Sequence, residues 1–329
     1  MRPSAVSLRQ AIWTVMHATI ASIVMLATIL LMSLGTVAEA APDTSSDVWV
    51  VSTRCLGGTC NVPETPRFSV EQCVLANGGR CNWQRAELSD MLAEPARPLV
   101  IFIHGNRYDT GSAKQQGLAL SRRLARFSPT DAPARTVIFS WPSERQGCLL
   151  HDGRAKYQRC YTDGHYLAAL LAKVNPEQPV AIVGYSFGAL ISLKAFDELC
   201  RPAGEQLPCG GDSLKCRPGV LNMVLVAPAV RSDALAPRGP YRDALACLDR
   251  LTVIINSRDE ALRFFPLLDP RVDVPALGYV GMPGSWAAAD TTFRIRDATS
   301  IVGREHSLLR YLESATLSAI IATGAVAGL

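Results

Sequence analysis

The chain has 329 residues, of which 48% are hydrophobic and 19% charged, and its formal net charge is +4. This apolar content is that of an ordinary globular protein, which excludes a disordered chain, a collagen-like repeat and a bundle of membrane helices. The excess of basic over acidic residues is small, and no basic cluster with interleaved aromatic residues occurs, so nucleic acid is not an expected partner.

The first 40 residues have the pattern of an export signal. Two arginines precede an uncharged stretch, residues 11–37, which is followed by Ala38-Glu39-Ala40, with small residues where a signal peptidase requires them. We expect cleavage before Ala41. The stretch could also cross about 30 Å of hydrocarbon, so membrane association through an uncleaved N-terminal anchor is the alternative. In both cases residues 41–329 form a single domain outside the cytoplasm, periplasmic or secreted.

The cysteines agree with this compartment. There are ten, all after the export segment, and an even number in an exported chain indicates disulfide bonds. The sequence does not determine which cysteines pair. The short-range candidates are Cys55–Cys60, Cys73–Cys81 and Cys148–Cys160. The spacings lack paired Cys-x-x-Cys units or histidines at ligand distance, so we expect no metal site and no cofactor.

The order of apolar segments predicts an α/β fold. A strand at 48–52 and a hairpin, 70–75 with 81–83, form an antiparallel opening. From residue 99 onward, short apolar runs alternate with amphipathic stretches, which is typical of βαβ units around a parallel sheet. The predicted parallel strands are 99–103, 136–139, 180–183, 221–227, 251–255 and 291–295.

Helical spacing occurs between these runs, at 113–127, 163–174, 189–199, 241–248 and 307–317. Two polar segments without clear periodicity, near 143–162 and 201–218, are predicted as surface insertions. The uncharged end of the chain, from residue 315, predicts a terminal helix packed on the sheet, because it is too short to span a bilayer.

A motif typical of serine nucleophiles lies at the end of the predicted strand 180–183. Gly184-Tyr185-Ser186-Phe187-Gly188 follows the apolar run 180–183 and opens a helical stretch, which is the context that a serine nucleophile requires. The glycines stand where a side chain would collide with a neighbouring strand or helix. The sharp turn lifts the Ser186 hydroxyl clear of the sheet edge, and the helix start offers unpaired N–H groups to an anion.

A serine hydroxyl near neutral pH needs a base and a group that orients the base. His306 is the predicted base, because it follows the last predicted strand and completes the chain order nucleophile, acid, base. Asp259, a few residues after the strand 251–255, is the predicted acid. Asp233, one strand earlier, is the alternative acid.

Negative charge on a substrate carbonyl oxygen needs fixed donors. The amide of Phe187 is the first predicted donor. The second should come from the loop after the strand 99–103, from the amide of Asn106 or of Arg107. We expect His104 to fix this loop rather than to act as a base.

These residues resemble the α/β-hydrolase superfamily over roughly residues 48–317: the Ser186 elbow, the His104-Gly105 loop, the late Asp259 and the terminal His306 occur in family order. The segments 100–106 and 139–143, the latter Phe-Ser-Trp-Pro-Ser, are similar to a bacterial branch of α/β hydrolases of unknown function. The resemblance implies a doubly wound, mostly parallel sheet with helices on both faces and a Ser-His-Asp triad.

We therefore expect an exported serine hydrolase that acts on carboxylic esters through an acyl-enzyme, with a small-molecule or lipid-like ester as substrate. Two alternatives stay open. One is an acyltransferase that uses the same triad, and the other is a binding or scaffold protein that keeps the fold without turnover.

Overall fold

A computed structural model of the chain describes residues 47–57, 65–76, 80–128, 133–200, 217–268, 273–282 and 291–329. All of them belong to one compact unit. The predicted export segment and most of the predicted insertion at 201–218 lie outside the described residues. In the described ranges, no helix combines the length and the apolar character needed to cross a membrane.

A nine-stranded sheet organises the described residues. In chain order its strands are β1 Val48–Ser52, β2 Ser69–Ala76, β3 Arg80–Ala86, β4 Leu99–Ile103, β5 Arg135–Ser140, β6 Val180–Tyr185, β7 Leu221–Val226, β8 Arg250–Ile255 and β9 Thr292–Asp297. Their spatial order is β3-β2-β1-β5-β4-β6-β7-β8-β9. The pairs β3–β2 and β2–β1 are antiparallel and all other neighbouring pairs are parallel, which confirms a mostly parallel sheet with antiparallel N-terminal strands.

The central strands are apolar because both faces of the sheet are covered. Every residue of β4, β5, β6 and β7 is buried, and continuous apolar runs of this kind are the pattern of a parallel strand between two helical layers. The edge strands β3 and β9 are largely exposed.

Nine α-helices connect and cover the strands: α1 Leu88–Leu92, α2 Thr110–Leu124, α3 Leu149–Leu171, α4 Phe187–Cys200, α5 Glu260–Arg263, α6 Leu277–Val280, α7 Thr299–Val302, α8 Leu308–Glu313 and α9 Ala315–Val326, counted over the described residues. Helices α3 and α4 pack against each other, and α4 packs on β6 and β4. A second group, α2, α8 and α9, is joined by mutual contacts and covers β5, β6 and β7. The C-terminal segment therefore forms a helix packed on the sheet, as predicted.

Helix α3 corrects the prediction for residues 143–162. That segment was expected to be irregular, but the helix begins at Leu149, well before the predicted start at residue 163. The early part of the helix was not predicted because its buried side carries polar residues, including Asp152, Lys156 and Asp163. Asp163 is satisfied there, since Thr53 Oγ1 and Arg159 Nε donate to its carboxylate at 2.6 and 2.7 Å. A search for apolar periodicity cannot recognise such a stripe.

Two smaller corrections concern helices near the C-terminal half. The predicted helix at 241–248 is a 3₁₀ helix, Arg242–Cys247. The predicted helix at 307–317 is interrupted, because α8 ends at Glu313 and Ser314 caps α9 by accepting a hydrogen bond from the Leu317 amide.

Two disulfide bonds occur among the described cysteines. Cys73–Cys81 ties β2 to β3, as predicted, and Cys200–Cys247 ties the end of α4 to the 3₁₀ helix 242–247. Disulfides of this kind persist in oxidising compartments, which points to an extracytoplasmic protein.

The prediction of a Cys148–Cys160 pair is wrong, because both are free thiols. Cys148 precedes the first turn of α3 and Cys160 lies in its interior, so about 18 Å of helix separates them, whereas a disulfide needs Cα atoms within about 7 Å. Cys55 is also a free thiol, and its predicted partner Cys60 lies outside the described residues.

Candidate active site

The turn between β6 and α4 places Ser186 in a constrained conformation. Its φ is 54°, a left-handed value that is costly for a residue with a side chain. The flanking glycines allow the turn: a Cβ at Gly184 would lie 2.9 Å from the Ala189 Cα, and one at Gly188 would lie 2.1 Å from the Ile103 carbonyl oxygen. The glycines are therefore required for close approach, as the sequence indicated.

Asp259 follows β8 and is fixed by the start of α5. It is fully buried, and its Oδ1 accepts hydrogen bonds from the amides of Ala261 and Leu262, both at 3.0 Å. This capping leaves Oδ2 to face His306, whose Nδ1 lies 2.7 Å away. Two backbone donors thus hold one carboxylate oxygen while the other contacts the imidazole.

His306 lies in the loop between α7 and α8 and connects the other two side chains. An ionised carboxylate only accepts hydrogen bonds, so the Nδ1 proton faces Asp259. The free Nε2 then accepts from the Ser186 hydroxyl, at a distance of 2.8 Å. The ring stacks on Tyr185, with centroids 5.2 Å apart. The structure thus brings Ser186, His306 and Asp259 into one chain of hydrogen bonds.

Asp233, the alternative acid, lies elsewhere. Its carboxylate forms a two-point contact with Arg231, at 2.8 and 2.6 Å. These hydrogen bonds from Arg231 hold the pKa of Asp233 below its usual value. The group that contacts His306 is Asp259, so the structure selects the later of the two predicted acids as the neighbour of the imidazole.

The two residues predicted to supply donor amides line the same pocket as Ser186. Phe187 is the first residue of α4, where the N–H has no partner within the helix. Asn106 follows β4, and both residues line the same pocket as Ser186 and His306. The amide of Arg107 donates to the Ser143 carbonyl at 2.7 Å, whereas the Asn106 amide has no hydrogen-bond partner within the described residues.

His104 supports this loop from inside the protein. Its Nδ1 donates to the Gly105 carbonyl at 2.8 Å, and its Nε2 accepts from the Trp141 amide at 3.3 Å. Burial lowers the pKa of His104 to about 3, so the ring is neutral at ordinary pH. The indole of Trp141 stacks on it and donates to the His104 carbonyl at 2.8 Å. His104 therefore has the structural role that was predicted for it.

A pocket of about 490 Å³ opens beside Ser186, and its walls are the part of the site that sequence reasoning missed. They are mainly apolar and come from the first turn of α3 and from the segment after Asp259; the large apolar residues are Leu149, Leu150, Leu262, Phe264, Phe265, Leu267 and Leu268. The available signals were the run Phe264-Phe265-Pro266-Leu267-Leu268, which begins five residues after Asp259, and the pair Leu149-Leu150 within a polar segment.

The strand order, the parallel pairing and the turn at Ser186 define an α/β-hydrolase fold. Residues 82–281, more than half of the chain, match the family described as "Alpha/beta hydrolase of unknown function (DUF900)", and the chain belongs to this family. No curated protein matches it significantly.

Solved structures give weaker likenesses. An inhibited esterase B from Lactobacillus rhamnosis is 13% identical, with 95% of this chain and 93% of that chain covered and a TM-score of 0.38. A carboxyl esterase 2 from Tuber melanosporum is 12% identical, with coverages of 78% and 81% and a TM-score of 0.34. A lipase-esterase related protein from Clostridium acetobutylicum is 11% identical, with coverages of 69% and 93% and a TM-score of 0.31. At these identities and TM-scores, the likenesses carry no information about what reaction this chain catalyses or what it binds.

Proposed function

We propose that the protein is an exported serine hydrolase that cleaves carboxylic esters. The observation that carries the proposal is the chain of two hydrogen bonds, 2.8 Å from Ser186 Oγ to His306 Nε2 and 2.7 Å from His306 Nδ1 to Asp259 Oδ2. A hydroxyl, an imidazole and a buried carboxylate in this order are the elements of nucleophilic acyl transfer.

In the first half of the proposed reaction, Ser186 Oγ attacks the ester carbonyl carbon while His306 Nε2 takes its proton. The resulting imidazolium is stabilised by Asp259, which is buried and already oriented by the amides of α5. The negative charge on the former carbonyl oxygen is stabilised by the amides of Phe187 and Asn106 and by the start of α4. Collapse of this intermediate expels the alcohol, which receives the proton from His306.

In the second half, a water molecule attacks the acyl-enzyme. His306 removes one proton from the water and later returns it to Ser186 Oγ as the carboxylic acid leaves. The histidine is unchanged at the end of the cycle, because each proton that it accepts it also donates. The same acyl-enzyme could react with an alcohol, which is the acyltransferase alternative.

The character of the pocket supports an ester with an apolar acyl part. Its large lining side chains are leucines and phenylalanines, and the polar groups converge at Ser186 and His306. An apolar cleft with a few placed polar groups is the usual form of a small-molecule site. The acyl chain would lie along the leucines, and the ester carbonyl would face the amides of Phe187 and Asn106.

Two observations support placing the enzyme outside the cytoplasm. The described residues carry two disulfides, Cys73–Cys81 and Cys200–Cys247, and such bonds are rare in reducing compartments. The N-terminal 40 residues have the pattern of an export signal. Identification of the N-terminal residue of the exported protein tests this placement, and Ala41 is the expected result.

The test of the activity is labelling by a fluorophosphonate, which reacts with an activated serine, together with hydrolysis of a short soluble chromogenic ester. We expect the full chain to be labelled at Ser186 and Ser186→Ala to be unlabelled, with turnover about four to six powers of ten lower. Ser128→Ala removes a hydroxyl whose contact is the Leu124 carbonyl and should behave as the wild type. Equal labelling of wild type and Ser186→Ala, or no labelling of either, would contradict the proposal. Adding an alcohol and analysing the products separates hydrolysis from acyl transfer.

A further inference from the structure

The mouth of the pocket carries an unusual group of exposed apolar side chains. Eight large apolar residues are strongly exposed among the described residues, and four of them line this one pocket: Leu149 (61%), Leu150 (38%), Phe264 (58%) and Leu267 (49%). We call these four residues the apolar rim. A concentration of this kind is what distinguishes an interaction surface from scattered exposed residues.

The apolar rim is built from two segments that meet at the pocket. Leu149 and Leu150 are the first two residues of α3, and Phe264 and Leu267 belong to the turn and 3₁₀ helix that follow α5. Arg154 Nε, one turn into α3, donates to the Leu267 carbonyl at 2.9 Å and joins the segments. The two segments therefore present their exposed side chains around one opening.

Four arginines lie close to the apolar rim in the chain or in space. Arg263 directly precedes Phe264, Arg145 lies four residues before Leu149, and Arg107 lines the pocket. All three are exposed, as is Arg154. Within the described part of the chain, none of these four arginines forms an ion pair with a carboxylate.

Among the described residues, two carboxylates beside these segments in the chain form ion pairs. Glu144 pairs with Arg54, and Glu260 accepts from Arg304 Nε at 2.7 Å. Asp152 is buried and accepts from the Gln146 amide at 3.0 Å. The Oδ2 atom of Asp152 has no hydrogen-bond partner within the described residues. The four exposed, unpaired arginines outweigh this single buried carboxylate, so the charge near the apolar rim favours an anionic surface.

We propose that the apolar rim docks the enzyme on an anionic lipid surface. The proposal rests on the proposed function and deepens it, because it makes the substrate a lipid-borne ester. Apolar side chains enter the boundary between headgroups and acyl chains, and the flanking arginines contact lipid phosphates. The pocket then opens directly onto the lipid, and an ester moves from the surface to Ser186 without exposing its acyl chain to water.

A second copy of the chain is a poorer occupant of this surface. A two-fold contact through the apolar rim would bring the same four arginines of each copy together. Their like charges would repel each other, and more strongly where the interface excludes water. A lipid phosphate layer has the opposite charge.

The test measures vesicle binding in the full chain carrying Ser186→Ala, so that turnover plays no part. Vesicles contain phosphatidylcholine with about 30 mol% phosphatidylglycerol, an anionic surface of the kind that attracts exposed arginines. Phe264→Ser/Leu267→Ser is compared with Phe127→Ser/Ile301→Ser, whose native side chains are 40% and 49% exposed away from the pocket. All proteins carry the same N-terminus, so any contribution of that segment cancels.

We expect the rim pair to weaken binding about 25-fold, because each half-exposed side chain contributes about fivefold to partitioning. The control pair should change binding less than about twofold, and thermal unfolding should show both pairs folded. Pure phosphatidylcholine vesicles should bind the parent at least about fivefold more weakly.

Equal losses in both pairs, no loss in the rim pair, or equal binding to neutral and anionic vesicles would overturn the proposal. Concentration-dependent self-association that only the rim pair abolishes would overturn it in favour of a dimer. This outcome can be told apart from that of the activity test. Fluorophosphonate labelling without vesicle binding refutes only the proposal of docking on lipid, and vesicle binding without labelling refutes only the proposal of hydrolase activity.

Discussion

Replacing Asp259 by Asn probes a contact between two loops, because 47 residues separate it from His306. The carboxylate accepts from His306 Nδ1 through Oδ2 and from the amides of Ala261 and Leu262 through Oδ1. Asn keeps an oxygen that can accept the two amide hydrogen bonds. Its NH₂ group then faces His306, and because it donates, it favours the tautomer with the proton on Nε2. That tautomer cannot accept the Ser186 proton.

We therefore expect Asp259→Asn to lower kcat by about four powers of ten with little change in KM, the magnitude seen when a triad acid is replaced in this way. The melting temperature should change little, because the cap of α5 is kept and a cap contributes about 1 kcal/mol. The assay is hydrolysis of a soluble chromogenic ester by the full chain, with thermal unfolding of the same samples.

Asp233→Asn is the matched control. It removes the same charge from a carboxylate that is paired with Arg231 at the surface, and such pairs contribute about 0–1 kcal/mol to stability. Turnover should stay within about twofold of the wild type. A larger loss of kcat in Asp233→Asn than in Asp259→Asn would refute the reasoning and move the acid one strand earlier.

The other predictions concern stability. Burial lowers the pKa of His104 to about 3 from an ordinary 6.5, so the unfolded chain takes up a proton before the folded one, and the free energy of unfolding falls by about 5 kcal/mol between pH 6.5 and 3. Urea titrations at several pH values should show that this free energy depends less on pH in His104→Gln, and an equal pH dependence in both proteins would contradict the prediction. Gly188→Ala forces a Cβ onto the backbone of β4 and should cost roughly 3 kcal/mol, whereas Gly111→Ala, whose nearest neighbour is 3.6 Å away, should not destabilise; similar melting temperatures would show that the close approach is not restrictive. Removing the Cys200–Cys247 bridge with a double Ser substitution should cost about 4 kcal/mol by the entropy of a long loop, and an unchanged urea midpoint would contradict this.

The elements that were predicted correctly are those whose conformation follows from residues adjacent in the sequence. The runs 99–103, 180–183 and 251–255 are buried strands because consecutive apolar residues fit a parallel strand covered on both faces. The turn at Ser186 follows from two glycines and the strand and helix around them. Helix α3 was predicted too short because its buried side carries polar groups such as Asp163, which accepts hydrogen bonds from Arg159 in the same helix and from the distant Thr53.

The amino-acid sequence by itself determined where the strands and the Ser186 turn lie, since both follow from local patterns. Only the tertiary structure decided which of two acids meets His306, which cysteines pair and which apolar side chains surround the pocket. Ser186 and His306 are 120 residues apart, and contacts over such separations depend on how loops from different strands converge at one edge of the sheet, which no local pattern specifies.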